Sequence, residues 1–368
     1  MIFYSDKNVY QAAKGRIHRI FDEYENKCPI VVSCSFGKDS TVILNIVKEV
    51  MDERGIKKIP LFWLDQELEA PMVVEHARKI YSLPWVEQVW VQSEFPRFNA
   101  HNGTNDMVFG KDKEWLREKE PNNPYTDFDL TDYKKYASEY NFFLHKIFGE
   151  YVTIGGLHID ESPMRRLALL RNLGNCPFKQ DKGGKIFYPI FDFTVYDIWY
   201  YIFSNRISYC KLYNYMFSQM KLTACRVGSF WNPQCQPMLK IIKEIDPKFY
   251  DKLQKRIKGI NSSLHSFSEL SDYVSSLPPY FSSWEEYVSY LIENIGVEGY
   301  KKQMYNTYKA TLNRRLKEIK GNRELEELVN KKIGISAARC VIKEDKDMRE
   351  LVQESYRTYI TIKERETI

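Results

Sequence analysis

A polar hexapeptide at residues 35–40, held between an apolar run and an amphipathic helix, constrains this chain most. The run at residues 29–33 is short and β-branched, and the helical pattern beginning at Val42 ends at Gly55. A strand–turn–helix of this kind directs consecutive backbone N–H groups and the positive helix end toward one point. Gly37 allows a close approach, and Lys38 adds a positive charge. The sequence therefore predicts a phosphate-binding bend.

Strand and helix patterns alternate after this bend. Buried strands are predicted at residues 59–64 and 87–91, and the sheet resumes at 151–156. Residues 186–190 predict one further edge strand. The rhythm indicates an α/β fold with a doubly wound, mostly parallel sheet, whose ligand lies beyond the carboxyl ends of the strands.

Two segments interrupt or follow this pattern. Residues 93–150 are long for a connection, which predicts an insertion that covers the site. Beyond about residue 262 the composition shifts to Ser, Pro and Tyr, and helices are predicted at 284–295 and 299–320. We expect a nucleotide-binding domain over residues 1–262 and a mainly helical domain over 263–368.

Composition narrows the class of protein. The 368 residues include 54 Lys and Arg against 49 Asp and Glu, a mild excess that permits an anionic ligand without demanding nucleic acid. No window approaches the run of about 18 apolar residues that a membrane span needs, and the start lacks a signal-peptide pattern, so we expect a cytoplasmic protein. The seven cysteines are scattered without a C-x-x-C pair, which favours neither a disulfide framework nor a metal cluster.

The hexapeptide Ser-Phe-Gly-Lys-Asp-Ser resembles the pyrophosphate-binding PP-loop of the adenine-nucleotide α-hydrolases. It matches neither the Walker A pattern nor the dinucleotide-binding pattern. The resemblance implies ATP as the ligand, with cleavage between the α- and β-phosphates and adenylation of an acceptor. Phe36, where glycine is commoner, is similar to the phosphoadenosine phosphosulfate (PAPS) reductase branch. Asp39 beside a polyphosphate makes chemical sense with a Mg²⁺ ion between them.

Two further segments contribute candidate residues. Asp65 follows the second strand, where its carboxylate can meet ribose, an amino group or Mg²⁺, or cap the next helix. Residues 155–166 resemble a G-x-R-x-D-E-S-x-x-R element of the same families, with His158 replacing the arginine. Arg165 and Arg166 fall in a predicted first helical turn, where cations are unfavourable unless an anion lies nearby. They are candidates for a substrate phosphate or sulfate, and a surface ion pair is the alternative for Arg166.

The predicted site has three groups of residues. The catalytic candidates are Lys38, Asp39, Arg165 and Arg166, and the metal candidates are Asp39 and Asp65 for Mg²⁺. The cofactor-binding candidates are Ser33, Ser35, Phe36, Gly37, Lys38, Asp39, Ser40, Asp65, Gln66, Glu67, Gly155, Gly156 and His158.

Residues 194–199 resemble a further family block, and their pattern is structural. Thr194 is predicted to cap a helix with Asp197 answering it, while Ile198, Trp199 and Ile202 face the core. Together with residues 115–121, 226–227, 246–247, 259–261 and 284–287, the likeness extends to PAPS-reductase-like co-regulators of the IbrA type. That resemblance implies a ParB-like partner protein.

Three functions remain open at this point. The first is an ATP pyrophosphatase that adenylates an unidentified acceptor. The second is a PAPS or adenosine phosphosulfate reductase, although the C-terminal E-C-G-x-H element is absent and Cys340 is the only late cysteine. The third is a sensor of ATP or PAPS that acts through a DNA-associated partner. Basic and tyrosine residues of the C-terminal helices could contact the phosphates of a nucleic acid, and the simpler interpretation is a solvated helix surface. These residues are Tyr300, Lys301, Lys302, Tyr305, Tyr308, Lys309, Arg314, Arg315, Lys317 and Lys320.

Overall fold

The chain divides into two units, each with its own core. One unit contains Met1–Arg97 and Asp106–Arg256, and the other contains Phe98–Asn105 and Ile257–Ile368. The computed structural model describes residues 6–101, 104–160, 166, 169, 178–179, 184–232, 235, 237–260, 274–319 and 321–366.

A six-stranded sheet in the order β3-β2-β1-β6-β8-β7 forms the centre of the first unit. The first five strands of that order run parallel, and β7 pairs antiparallel with β8 at the edge. This is the predicted fold class. The strands are β1 (Ile30–Ser33), β2 (Ile59–Leu64), β3 (Val86–Val91), β4 (Phe95–Asn99), β5 (Thr104–Val108), β6 (Val152–Ile154), β7 (Phe178–Lys179) and β8 (Lys185–Phe187), of which β4 and β5 pair separately.

Helices cover the sheet because its central strands are apolar on both faces, as parallel strands require. Val31 and Val32 of β1 are completely buried. The chain moves outward from β1 through β2 to β3 and then returns to β6 on the opposite side of β1. The helices of this unit whose bounds the structure describes are α1 (Val9–Tyr24), α2 (Lys38–Arg54), α3 (Pro71–Tyr81), α4 (Glu139–Phe148), α5 (Val195–Ser204), α6 (Leu212–Met216), α7 (Met238–Ile245) and α8 (Pro247–Arg256).

Local signals set several helix boundaries. Helix α2 ends at Gly55, whose φ of 72° is left-handed, as the sequence predicts. Helix α5 begins with the predicted capping box, in which Asp197 N donates to Thr194 Oγ1 at 3.2 Å and Thr194 N donates to Asp197 Oδ2 at 2.8 Å. Ile198, Trp199 and Ile202 are buried, as predicted.

Local signals also set the start of α4 and the end of β8. Helix α4 begins at Glu139, because Ser138 adopts an extended backbone and accepts a hydrogen bond from Asn141 N. Only a short 3₁₀ turn, Tyr133–Lys135, precedes it. The strand expected at the sheet edge is β8, which lies between β6 and β7 and stops before Pro189.

The second unit contains four helices in its described part and packs them around its own apolar core. Val288, Leu312, Val329, Ile333 and Leu351 belong to this core. The helices are α9 (Trp284–Ile295), α10 (Lys301–Ile319), α11 (Arg323–Ile342) and α12 (Arg349–Glu366).

Among the described helices, none combines the length and the apolar character that crossing a membrane requires.

Candidate functional site

A cleft of about 530 Å³ opens where the carboxyl ends of β1, β2 and β6 meet. Because the chain reverses its direction of travel between β1 and β6, this is the switch point at which doubly wound sheets bind ligands. The predicted residues that line it are Ser33, Ser35, Gly37, Asp39, Ser40, Gln66, Gly155 and Gly156.

The hexapeptide forms the floor of the cleft at the start of α2. No side chain caps this helix at Gly37, whose backbone is extended with φ of −81°. Ser40 Oγ and Thr41 Oγ1 donate to Gly37 O at 3.0 and 2.9 Å, and Ser35 Oγ lies 3.3 Å from Ser40 Oγ. The loop is thereby fixed from within. Its first-turn amides and hydroxyls are placed at the positive end of a 17-residue helix, which suits an anion.

Lys38 is placed differently from the other loop residues. Its side chain is 4% exposed, does not line the cleft, and pairs with Asp39 Oδ2 at 3.0 Å. Its backbone N–H donates to the hydroxyl of Tyr213 at 2.9 Å. The lysine therefore supports the loop through Asp39, and Tyr213 occupies the first amide of the helix.

Asp39 is the charged centre of the loop. Besides Lys38, it contacts His158, whose Nε2 lies 3.1 Å from Asp39 Oδ1. Burial alone would raise the pKa of Asp39, but the hydrogen bond with His158 and the charge of Lys38 hold it below the usual value. The carboxylate is thus ionised at neutral pH and lines the cleft. His158 acts on the site through Asp39.

Gly156 lets the segment after β6 approach the loop. A Cβ at this position would lie 2.9 Å from the carbonyl carbon of Asp39 and 3.0 Å from Ser40 N. At Gly155 a Cβ would lie 2.9 Å from the ring of Tyr188. The backbone contact at Gly156 is open to glycine alone, whereas a side chain at Gly155 would require the Tyr188 ring to move.

Phe36 is not directed into the cleft. Its backbone has a φ of 56°, and its side chain is 1% exposed. The ring meets those of Trp63 and Tyr81 edge-on at centroid distances of 4.9 and 5.5 Å. The side chain anchors the loop in the core.

The predicted carboxylates after β2 hold the cleft wall in place. Asp65 is completely buried, and Oδ2 accepts from Trp90 Nε1 at 2.7 Å, from Gln92 Nε2 at 2.9 Å and from Arg117. Burial would raise the pKa of Asp65, but the charge of Arg117 and these hydrogen bonds hold it below the usual value. Asp65 Oδ1 accepts from Glu67 N at 2.9 Å, and Asp65 does not line the cleft. Both oxygens are therefore engaged by the protein, which leaves Asp65 unsuited to Mg²⁺.

Glu67 is likewise completely buried, with a left-handed φ of 70°. Arg256 Nε and Nη2 donate to its two oxygens at 2.7 and 2.9 Å, and the amides of Phe109 and Leu116 donate as well. This pair joins the β2–α3 connection to the insertion and to the end of α8. Its position indicates a structural role.

Arg165 lies outside the described residues. Arg166 is helical and exposed, and it does not line the cleft.

Several cleft residues had no signal in the sequence reading. Arg226 supplies a cation beside the loop, since the adjoining Val227 lies 3.3 Å from a Cβ built on Gly37. Glu69 and Ser229 line the cleft farther along. These residues come from connections without a periodic pattern, and only the contact between distant segments brings them to the site. In the sequence, Arg226 belongs only to the wider family likeness that also includes residues 115–121.

Comparison with known proteins assigns the family. The model of the phosphoadenosine phosphosulfate reductase domain matches residues 29–225, more than half of the chain. The chain therefore belongs to this family, whose nucleotide-binding PP-loop fold it carries. A second model, a domain of unknown function (DUF3440), matches residues 219–368.

Two curated relatives are similar over much of the chain. YbdN of Escherichia coli (strain K12), an uncharacterised protein, is 25% identical over 314 residues, which is 78% of this chain and 75% of YbdN. Adenosine 5'-phosphosulfate reductase of Anoxybacillus flavithermus is 21% identical over 221 residues, which is 59% of this chain and 81% of the reductase.

Solved structures show weaker likeness. FMN adenylyltransferase of Candida glabrata aligns with a TM-score of 0.40 at 15% identity over 60% of this chain, and the chain spans 65% of that structure. PAPS reductase of Candida auris, in a phosphate complex, aligns with a TM-score of 0.34 at 12% identity, covering 63% of this chain and 98% of that one.

Proposed function

We propose that this protein binds ATP in the cleft and cleaves it between the α- and β-phosphates, adenylating an acceptor and releasing pyrophosphate. One observation carries the proposal: the start of α2, where Gly37 provides no side-chain cap and the Tyr213 hydroxyl accepts from the first amide, lines a cleft at the switch point of the sheet. The amides that follow Lys38 suit the β- and γ-phosphates. The hydroxyls of Ser35 and Ser40 hydrogen-bond within the loop in this structure and can rotate toward a bound phosphate. The rest of the cleft has room for a nucleoside and for part of an acceptor.

Arg226 is the cleft cation that supports this chemistry. It belongs to the segment that packs against Gly37, and it lines the cleft beside the loop. A guanidinium there can stabilise negative charge that develops at the α-phosphate during transfer. We assign it the role for which the sequence offered Arg165 and Arg166.

A Mg²⁺ ion fits this proposal through Asp39. The carboxylate is ionised and lines the cleft beside the proposed phosphates, and Mg²⁺ in nucleotide sites needs only one or two protein carboxylates. When bound, the ion would neutralise phosphate charge. Among the described residues no group of three or more His, Cys, Asp or Glu side chains suits a metal ion, so phosphate oxygens and water would complete its shell.

A reductase is the second candidate, favoured by the family and by the likeness to the Anoxybacillus enzyme. It requires a thiolate nucleophile. Burial raises the pKa of Cys34 and Cys210 to about 11 and the pKa of Cys235 and Cys340 to about 12. Burial also raises the pKa of Cys28 and Cys225, and Cys176 lies outside the described residues. The described thiols therefore favour the adenylation proposal.

A nucleotide-sensing role with a ParB-like partner, as in the IbrA-type co-regulators, is the third candidate. The basic residues proposed for nucleic acid offer it little support. Arg315 is 8% exposed and donates to Ser355 Oγ at 2.9 Å, and Lys309 pairs with Glu285. Lys320 lies outside the described residues.

The test is incubation of the purified protein with α-labelled ATP, Mg²⁺ and candidate acceptors, followed by separation of AMP, pyrophosphate and adenylated products. We expect AMP or an adenylated product together with pyrophosphate. Arg226→Met should lower the rate while retaining ATP binding. The matched control is Arg19→Met, which alters an exposed residue of α1 that does not line the cleft. ATP binding without any product would favour the sensor, and thiol-dependent sulfite release from PAPS would favour the reductase.

A further inference from the structure

One wall of the cleft carries buried polar atoms that have no hydrogen-bond partner among the described residues. They are Gln66 Oε1, Glu69 Oε2 and Ser229 Oγ. Their residues are 7%, 4% and 2% exposed, and all three line the cleft. Buried polar groups in folded proteins are nearly always satisfied, and an orphan costs stability comparable to a lost hydrogen bond. Three unsatisfied polar atoms on one wall indicate that a bound molecule supplies their hydrogen-bond partners.

The wall is held rigidly in this arrangement. Trp231 Nε1 donates to Gln66 O at 2.9 Å, and Phe230 N donates to Leu68 O at 3.2 Å, which fixes the segment containing Ser229 on the β2–α3 connection. Gln66 N donates to Glu69 Oε1 at 3.1 Å. The three orphan atoms therefore have defined positions before any ligand arrives, as specificity requires.

The charge around Glu69 indicates that it is a neutral acid. In the described part of the chain, the ion pairs of Glu69 and Asp65 are both with Arg117, which contacts Asp65 directly and lies 3.8 Å from Glu69 Oε2. One cation balances one carboxylate, so a proton stays on the pair. Burial and the charge of Asp65 raise the pKa of Glu69 well above the usual value. Cys235 and Tyr140 also face Glu69, and neither brings a positive charge.

We propose that Gln66, Glu69 and Ser229 recognise a neutral group that carries an N–H donor beside an acceptor, such as a carboxamide or the edge of a base, and that they reject an oxyanion. The chemistry follows from the wall: an amide oxygen accepts only, a carboxylic acid donates and accepts, and a hydroxyl does both. The cleft thus has an anion-binding end at the loop and Arg226, and an end at this wall that suits a neutral group. The inference rests on the proposed function and names its substrate class.

The neutral group that the wall recognises is part of either the base of the nucleotide or the second substrate. Two binding experiments distinguish these two cases. The first compares ATP with inosine triphosphate, whose base reverses the donor and the acceptor along its edge. The second compares glutamine with glutamate and nicotinamide with nicotinate, in the presence of a non-hydrolysable ATP analogue. In each pair of this second experiment, the first compound carries a carboxamide where the other carries a carboxylate.

The variants are Ser229→Ala and Gln66→Met, each of which removes an orphan atom. The matched control is Thr358→Val, which removes another buried orphan hydroxyl, completely inaccessible, from the second unit. We expect at least one pair to show a preference of about tenfold for ATP or for the carboxamide, and we expect both wall variants to abolish it. The control should retain the preference.

The inference would be overturned by any of three results. The preferences could persist in both wall variants, the carboxylates could bind as tightly as their carboxamides, or both experiments could show no preference. Wild-type protein that does not bind the ATP analogue would instead contradict the proposed function. The carboxamide pairs are then measured without the analogue, which still decides whether the wall prefers a neutral group.

Discussion

At the scale of single residues, Gly156 sets how closely the segment after β6 can approach the loop. Gly156→Ala would place a Cβ within 3.0 Å of backbone atoms of Asp39 and Ser40, which have no side-chain freedom with which to retreat. We expect a loss of about 1–3 kcal/mol in the free energy of unfolding and at least about tenfold weaker ATP binding. Denaturant titration and calorimetry measure the two effects.

Gly15→Ala is the control for this substitution. Gly15 lies within α1, and a Cβ there would meet no heavy atom within 4 Å. We expect a gain of about 0.5–1 kcal/mol in stability and unchanged ATP binding. Equal ATP affinity in Gly156→Ala and the wild type would show that the loop does not need this close approach.

Glu69 gives a pH dependence whose sign can be worked out. Its pKa is raised in the folded protein above the usual 4.5, so above pH 4.5 the unfolded chain releases a proton that the folded protein retains. Stability therefore falls as pH rises through this window, by up to about 1.4 kcal/mol per pH unit. The opposite contribution of Asp65, whose pKa is lowered from 3.8, lies at lower pH.

We expect Glu69→Gln to remove this decline and to be more stable than the wild type at pH 7. Urea titrations between pH 4.5 and 8 measure it. Glu87→Gln, which alters an exposed residue of β3, should leave the slope unchanged. Parallel pH profiles for Glu69→Gln and the wild type would mean that Glu69 is ionised in the folded protein.

At the scale of elements, the ion pair of Glu67 and Arg256 connects α8 to the cleft wall. Arg256→Met leaves a completely buried carboxylate without its cation, and we expect a cost of about 3–5 kcal/mol. Adding Glu67→Gln should recover most of it, because the amide oxygen still accepts from Phe109 N. A double-mutant cycle in urea measures the coupling.

The exposed pair of Arg78 and Glu120 is the comparison for this cycle. Arg78 donates to both oxygens of Glu120, but its side chain is 53% exposed. Arg78→Met should cost less than about 1 kcal/mol, since solvent screens the pair. Equal costs at the two sites would show that burial does not govern the Glu67 pair.

The sequence predicts elements where their pattern is local and misses contacts that depend on the fold. The bend at residues 35–40, the parallel sheet and the capping box of α5 all follow from signals within a few residues. Arg226 and Ser229 could not be predicted as cleft residues, because their segment reaches the site only by packing on Gly37 and the β2–α3 connection. The predicted Mg²⁺ role of Asp65 overlooked Arg117, which is 52 positions away in the sequence.

At the scale of the whole molecule, every cleft-lining residue belongs to the first unit. In the second unit, a Cβ on Gly334 of α11 would lie 2.5 Å from Cβ of Trp284 in α9. We expect Gly334→Ala to cost that unit about 1–3 kcal/mol and to leave ATP affinity unchanged. Hydrogen exchange should show lost protection in α9 and α11 alone, with Gly15→Ala again as the helical-glycine control.

Weakened ATP binding in Gly334→Ala would mean that the second unit contributes to the site. The predicted domain boundary near residue 262 remains a prediction, and the same exchange data would locate it.

The packing of Phe36 in the core affects the rate at which a nucleotide binds. The Phe36 ring packs against Trp63 and Tyr81 and holds the bend in place. The conformation of the bend is therefore set by the protein core before a nucleotide binds. Association then requires no slow rearrangement of the bend, and its speed is governed by diffusion and by ionic strength.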